Sequence, residues 1–392
     1  MKILLSNKYY YPRGGDCVCT INLEELLKTH GHEVAIFAMQ YPETLPTPWS
    51  KYFPSEINFK PGKGMIEAFL RPFGSNEVRK KFNSLLSDFK PDIVHLNNIH
   101  SQLSPIIVEL AHQKGIKTIW TLHDYKLLCP RYDCLRNGKE TCEECFTNKH
   151  KVLEHKCMKN SLIASFLSYK EAVKWNKNRL ESCTDVYICP SKFMTNKMLQ
   201  GGFKKEKIRT LCNFIDVAKC HRKVYEKDKY FCYIGRISHE KGIKTLIEAA
   251  NDLPFKLIVV GEGPLIEDMQ AIAHNNIEFV GFKQWNEIKE IVGKALFTVI
   301  PSEWYENNPL SIIESQCLGT PVLGANAGGI PELIDENITG MCFESKNKDD
   351  LKRKIQSMFQ ASFDYAKIAQ EAQLRYNAEN YYIQLEKIYS HF

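Results

Sequence analysis

Residues 301–319 read PSEWYENNPLSIIESQCLG, and this stretch decides the architecture. An apolar run, Phe297–Ile300, leads into it, and a second, Pro321–Leu323, follows. Between them Asn308 and Pro309 stand as an N-cap and a first-turn proline, so a helix should open there and run to about Leu318. A short apolar strand, a helix and another short apolar strand make the βαβ unit of a parallel sheet. Glu306 then falls in the loop before the helix, and Glu314 on its second turn. The amides of Leu310 and Ser311 would be free at the helix start, where they and the helix dipole favour a diphosphate. A carboxylate one turn deeper can accept hydrogen bonds from ribose hydroxyls, and one in front of the helix from sugar hydroxyls. Taken singly, either glutamate reads better as a solvated surface charge.

The same alternation extends in both directions. Downstream of residue 205 the expected strands are Phe231–Gly235, Phe255–Val260, Ile277–Val280, Phe297–Ile300, Pro321–Leu323 and Met341–Phe343, with helices near Ile243–Asn251, Leu265–Ala273, Trp285–Val292 and Asp349–Phe359. Upstream they are Ile3–Ser6, Val34–Ala38, Ile93–Leu96, Thr118–His123 and Val186–Pro190, with helices Cys17–Thr29, Glu77–Phe89 and Leu103–Lys114. This is an α/β chain of two doubly wound, Rossmann-like halves, whose ligands sit at the C-terminal edges of the strands. The Gly-Gly and lysine-rich turn at Gly201–Lys207 marks a boundary, giving domains 1–204 and 205–375. The tyrosine-rich end, 376–392, reads as a helix that packs back on the first domain.

With 392 residues, 44% of them hydrophobic and 25% charged, the chain has apolar side chains enough for two cores. No run approaches the roughly 18 apolar residues that span a bilayer. The opening MKILLS is cut short by Ser6, Asn7 and Lys8, which suits a first strand better than a signal peptide. A cytoplasmic location is expected, and the fourteen cysteines are then mostly reduced thiols. A net charge of +6, with no basic stripe carrying interleaved aromatics, argues against nucleic acid as partner.

Residues 233–242 read YIGRISHEKG. Arg236 ends an apolar strand and Lys241 opens the next helix, so both cations reach the ligand edge. Arginine forks onto two phosphate oxygens and lysine supplies a point charge, which together stabilise a departing diphosphate. Gly-Arg, then Lys-Gly, VVGEGP at 259–264, the Glu306/Glu314 pair, GTPVLG and GGIPE follow in order. This series resembles the retaining glycosyltransferases of family 4, with the GT-B fold of two Rossmann-like domains facing each other across a cleft. The resemblance implies a nucleotide-sugar donor, UDP- or GDP-linked, and a glycan or lipid-linked acceptor, as in polysaccharide biosynthesis. It places the diphosphate on Arg236, Lys241 and the amides of Leu310 and Ser311, the ribose on Glu314 and the transferred sugar near Glu306. Asn307-Asn308 stands where Gly-Phe is usual in that family, beside the sugar position.

In the first half, YYYPRGGD puts Gly14 and Gly15 before a helix, where the backbone can approach a ligand closely. His123 ends TIWTLHD and matches the histidine that lies beside the transferred sugar in the resembling family, which implies positioning or charge stabilisation. The chain contains no Asp-x-Asp, so no carboxylate clamp for a divalent cation is expected and catalysis should need no metal. Cys129, Cys134, Cys142, Cys145 and Cys157 admit two readings, a structural zinc site built on Cys142-x-x-Cys145 and a loop of reduced thiols. Apolar Ile66, Phe69, Leu70 and Phe73 near Arg71, Arg79, Lys80 and Lys81 suit peripheral contact at the inner face of a membrane, or else a covered loop with a basic helix. Rival functions are a GT-B sugar-nucleotide epimerase or sugar-phosphate synthase, and a zinc-bearing nucleic-acid module.

Overall fold

The computed structural model describes residues 1–57, 63–222 and 224–390. The last two positions of the expected C-terminal helix segment lie outside these. The chain divides into two compact units, Met1–Cys212 together with the segment from Tyr382 onward, and Asn213–Tyr381.

The first unit is built on β1 (Lys2–Ser6), β2 (Glu33–Phe37), β3 (Ile93–Leu96) and β4 (Lys117–Thr121). A small antiparallel hairpin of β5 (Leu135–Arg136) and β6 (Glu140–Thr141) follows, then β7 (Val186–Cys189) and β8 (Ile208–Thr210). Six strands run parallel in the order β2-β1-β3-β4-β7-β8. Ile3, Leu4, Leu5, Ala35, Ile36 and Val94 are fully buried, the uninterrupted apolar run that a sheet covered on both faces requires. Because β8 adds to β7, the unit boundary falls after Cys212 and not at residue 204. Backbone from 205 to 212 is therefore committed to the first sheet. From the helix Ala378–Ser390, Tyr382 stacks on His30 at 3.6 Å and its hydroxyl lies 2.8 Å from His32 Nε2. Tyr389 Oη lies 2.6 Å from Nδ1 of the fully buried His95.

The second unit holds β9 (Tyr230–Ile234), β10 (Lys256–Val260), β11 (Ile277–Gly281), β12 (Thr298–Ile300), β13 (Val322–Ala325) and β14 (Gly340–Phe343). They are all parallel, in the order β11-β10-β9-β12-β13-β14. Chain connections leave β9 and β12 in opposite directions, so the crevice at their C-terminal ends is the topological switch point where such sheets bind ligands. In the first sheet the corresponding neighbours are β1 and β3.

Candidate functional site

In the second unit the segment 301–309 leaves β12 at the switch point, and two glycines fix its path. Gly242 has φ +67°, and a Cβ there would stand 1.9 Å from the Pro301 carbonyl oxygen. Gly328 has φ +61°, and its Cβ would stand 2.1 Å from the carbonyl oxygen of Glu306, which also accepts the Gly329 amide at 2.7 Å. Only glycine allows this close approach at positive φ. The Lys-Gly and Gly-Gly-Ile-Pro-Glu motifs are thus the two sides of a clamp on the Glu306 loop.

Inside the clamp Lys241 Nζ donates to Glu306 Oε1 at 2.7 Å, and Ser302 Oγ donates to the same oxygen at 2.7 Å. Lys241 also lies 5.0 Å from the centre of the Trp304 ring. Glu306 is only 7% exposed. Burial pushes its carboxyl up, but the Lys241 charge and the hydrogen bonds outweigh it and hold the group below its ordinary value. It stays ionised at neutral pH. Arg236, six residues after the start of β9, is exposed and forms no ion pair among the described residues, while its carbonyl accepts the Tyr233 hydroxyl at 2.7 Å.

The helix that follows spans Leu310–Cys317, with Pro309 as its N-cap in extended conformation. Asn308 was expected as the cap and is not: its Oδ1 accepts the Asn213 amide at 3.1 Å, and its carbonyl accepts Asn213 Nδ2 at 3.0 Å. Both oxygens of Asn308 are thereby engaged by the chain entering the unit. The Ile312 amide bonds back to the Pro309 carbonyl at 3.2 Å, leaving the Leu310 and Ser311 amides without a partner among the described residues. The helix is anchored from behind, where Ser315 Oγ meets Thr298 Oγ1 at 2.7 Å and Gln316 Nε2 donates to Leu333 O at 2.7 Å. Glu314 is half-buried next to Cys220 and Cys317, and burial raises its carboxyl to about 7.

In the first unit Gly14 caps the helix Gly15–Thr29 in extended conformation with no side-chain cap, and both glycines are exposed. His123, just beyond β4, sits 2.9 Å through Nε2 from Asn97 Oδ1. Burial lowers its basicity; nearby Asp16 raises it and Lys8 lowers it, and the balance keeps the ring neutral. Asn97 gave no signal in the sequence, because a lone asparagine after an apolar strand is ordinary turn chemistry.

Three of the five cysteines, Cys129, Cys134 and Cys145, meet. Cys129 accepts hydrogen bonds from the Cys134 and Cys145 thiols, which hold it well below the ordinary thiol range, while the same bonds and burial push Cys134 and Cys145 up. Cys157 packs with Cys145 and Val152 in an apolar cluster. Cys142 stands apart, 3.7 Å from Glu144 Oε1. Among the described residues no group of three or more His, Cys, Asp or Glu side chains is arranged to hold a metal ion. The hairpin and the helix Lys151–Glu154 hold this segment.

The expected basic and apolar surface changes composition. Arg71 is 1% exposed and its Nη2 pairs with Glu77 at 2.6 Å, so it offers no charge to a partner. Ile66, Phe69 and Leu70 on the helix Lys63–Leu70 are exposed, and the helix Leu162–Lys174 exposes Leu162, Ile163, Phe166 and Val173, with Lys170 lying 5.3 Å over Phe166. Lys174 Nζ donates to Phe73 O at 2.6 Å, and Trp175 Nε1 to Pro72 O at 2.7 Å, tying that helix to the turn after residue 70. No helix among the described residues is long and apolar enough to cross a membrane.

Two doubly wound sheets, with cations, a buried carboxylate and free helix-start amides at one switch point, define an α/β enzyme of the kind that handles anionic, nucleotide-like ligands. The sequence matches the Glycosyltransferase Family 4 profile over residues 13–219 and Glycosyl transferases group 1 over 218–380. An uncharacterised glycosyltransferase of Methanocaldococcus jannaschii is 30% identical over 368 residues, 90% of this chain and 87% of that one. The O-antigen biosynthesis glycosyltransferase WbnH of Escherichia coli is 30% identical over 207 residues, 52% and 59% of the two chains. Anabaena Alr3699/HepE, solved in complex with UDP, superposes with a TM-score of 0.69 over 100% of both chains at 16% identity. The chain belongs to glycosyltransferase family 4, is a glycosyltransferase, and has the GT-B fold.

Proposed function

We propose that this chain is a retaining glycosyltransferase that moves a sugar from a nucleoside-diphosphate sugar to a glycan or lipid-linked glycan in polysaccharide biosynthesis. The observation that carries the proposal is the Lys241–Glu306 pair, clamped at the switch point of the second sheet beside the open amides of Leu310 and Ser311. Arg236 forks onto the diphosphate oxygens. Lys241, with one of its three N–H groups given to Glu306, keeps donors for the same phosphates. Together with the two amides they meet the charge that grows on the leaving diphosphate, so the chemistry calls for no divalent cation. Glu306 orients hydroxyls of the transferred sugar, and Glu314 accepts from the ribose. With no glycosyl nucleophile assigned, the acceptor attacks on the face that the diphosphate leaves, which gives retention. UDP is the first nucleotide to try, since HepE was solved with it, and the name of WbnH, an O-antigen biosynthesis glycosyltransferase, supports a glycan acceptor.

The test is a melting-temperature screen against UDP-, GDP- and ADP-sugars, followed by proton NMR of the product. A donor at a hundred times its Kd should stabilise the fold by about 2.7 kcal/mol. A glycoside with the donor's anomeric configuration is expected; an inverted glycoside, an epimerised donor or a sugar phosphate as product would sink the assignment.

Work at the cytoplasmic face of a membrane is part of the same proposal, supported by exposed Ile66, Phe69 and Leu70 and by the exposed apolar side chains of Leu162–Lys174 with Lys170 beside them. The chain should float with vesicles containing anionic lipid, and Ile163→Asp/Phe166→Asp should abolish flotation. Equal recovery of both proteins with the vesicles would remove this surface from consideration.

A further inference from the structure

At the N-terminal edge of the second sheet, the edge away from the donor crevice, two cations meet without a carboxylate. Residues 224–229 lead into β9, and the helix Trp285–Lys294 ends beside them, ahead of β12. Lys227 Nζ donates to the Gly293 carbonyl at 2.9 Å and to Thr320 Oγ1 at 2.6 Å, and lies 4.8 Å from the centre of the Tyr365 ring. The Arg222 guanidinium rests against the same helix end. A Cβ on Gly293 would stand 1.8 Å from its Nη1, so glycine makes the room that the guanidinium occupies. Burial first, and then the Arg222 charge, push Lys227 down to about 7. Asp228 and Glu290 act on the Tyr230 hydroxyl together with Arg222, but neither reaches ion-pair distance of the two cations, and Glu290 faces Lys294 at 3.9 Å.

A helix C-terminus attracts cations, and that accounts for Lys227. It does not account for Arg222. The carbonyls of Ile291, Val292, Gly293 and Lys294 already accept from the Tyr230 hydroxyl at 2.7 Å, Thr320 Oγ1 at 2.8 Å, Lys227 and the Asp228 amide at 2.7 Å. The Arg222 guanidinium makes no hydrogen bond among the described residues; its Nη1 is sealed against the helix, whereas Nε and Nη2 are not sealed. That open side of a guanidinium forks onto two oxygens of one group, and Lys227 keeps one of its three N–H groups for a third oxygen. Donors converging from two residues suit a tetrahedral oxyanion, where a carboxylate brings only two oxygens.

We propose that Arg222 and Lys227 form a binding site for a small dissolved phosphate-type oxyanion at the N-terminal edge of the second sheet. The site is separate from the donor crevice, which lies at the C-terminal ends of the same strands, and it does not depend on the transferase function proposed above. An anion between the two cations neutralises their repulsion and ties the chain ahead of β9 to the end of Trp285–Lys294.

Carbon NMR of the full chain with isotope-labelled lysine tests this by following the pH titration of each ammonium. The signal that titrates near 7 and vanishes in Lys227→Arg belongs to Lys227. In sodium phosphate its proton affinity should rise about tenfold or more over its value in sodium chloride of equal ionic strength, the chloride arm removing the effect of screening. Arg222→Lys keeps the charge but not the fork, so phosphate should bind about tenfold or more weakly while Lys227 still titrates low in chloride. Arg222→Met should raise the Lys227 midpoint in chloride and abolish the response to phosphate. Melting curves check that both variants fold, and Arg222→Lys decides alone if Arg222→Met does not. The site is overturned by equal midpoints in the two salts up to about 20 mM phosphate, beyond the millimolar affinity expected of two cations. A phosphate response kept in full by Arg222→Lys, or a native Lys227 that titrates in the ordinary lysine range in chloride, overturns it as well.

Discussion

Replacing Arg236 by alanine is expected to lower kcat roughly a hundred- to a thousandfold, the loss typical when one preorganised donor to a developing anion is removed. Thermal stability should change by less than about 0.5 kcal/mol, because Arg236 is exposed and holds no ion pair. Lys241→Met should behave differently, although both cations are assigned to the same phosphates. Lys241 is the charge that keeps buried Glu306 ionised, and removing it strands a carboxylate that is 7% exposed. The expected cost is about 2–3 kcal/mol, somewhat less than for a fully buried pair since Lys241 itself is partly solvated. This deficit depends on pH. In the native chain Glu306 titrates below its ordinary value, so its contribution is present above that value and lost only in acid. In Lys241→Met only the hydrogen bonds from Ser302 and Trp304 still oppose burial, so the carboxyl rises from its native value and the variant's deficit grows as pH rises. Melting curves at pH 5 and pH 8, with single-turnover rates for both variants, decide the matter. A destabilised Arg236→Ala, or a Lys241→Met whose deficit shrinks with rising pH, would contradict the roles given to the two residues.

The contrast between these cations was not legible in the sequence. Tyr233–Gly242 places both at the end of an apolar strand, but a one-dimensional pattern does not tell which one faces Glu306, sixty-five residues away. The strands themselves were readable because continuous apolar runs of four or five residues are what doubly covered parallel sheets demand, and each expected strand of both halves appears within a few residues. β8 was missed: Ile208–Thr210 has one buried side chain, too little pattern to separate from the turn before it. That omission moved the unit boundary. Asn308-Pro309 misled in a different way. The cap signal was sound as local chemistry, and it lost to Asn213, which takes both oxygens of Asn308 across a long stretch of chain. The basic surface at Arg71 failed for the same kind of reason, since burial against Glu77 is a tertiary fact. The meeting of Arg222 and Lys227 follows no periodicity at all and became visible only as an unpaired guanidinium in three dimensions.

Glu314→Gln is expected to make the protein more stable and the enzyme worse. Burial raises the Glu314 carboxyl from 4.5 to about 7, with no ion pair among the described residues to offset it. A folded value above the unfolded one means that the folded chain binds the extra proton between those limits. The carboxyl is therefore at its most favourable below about 4.5, and stability falls as pH rises toward 7. Glutamine mimics the protonated acid at every pH, so the variant should match the native chain near pH 4.5 and exceed it at pH 8 by roughly 3 kcal/mol. Donor binding should run the opposite way. Ribose hydroxyls donate, and an ionised carboxylate accepts two such bonds more strongly than an amide oxygen does. Nucleoside diphosphate should accordingly bind the native chain more tightly at pH 8 than at pH 6, and Glu314→Gln should bind it roughly ten- to a hundredfold more weakly with little pH dependence. Calorimetric titration at the two pH values, alongside melting curves, measures both halves. A variant that gains stability yet keeps full affinity would leave Glu314 as a buried acid without a ligand. One that loses stability at pH 8 would mean that the carboxylate is held by partners in the folded chain. The stability sacrificed at Glu314 makes sense only if something with hydroxyl donors arrives to use the charge, which is the argument for placing the ribose there.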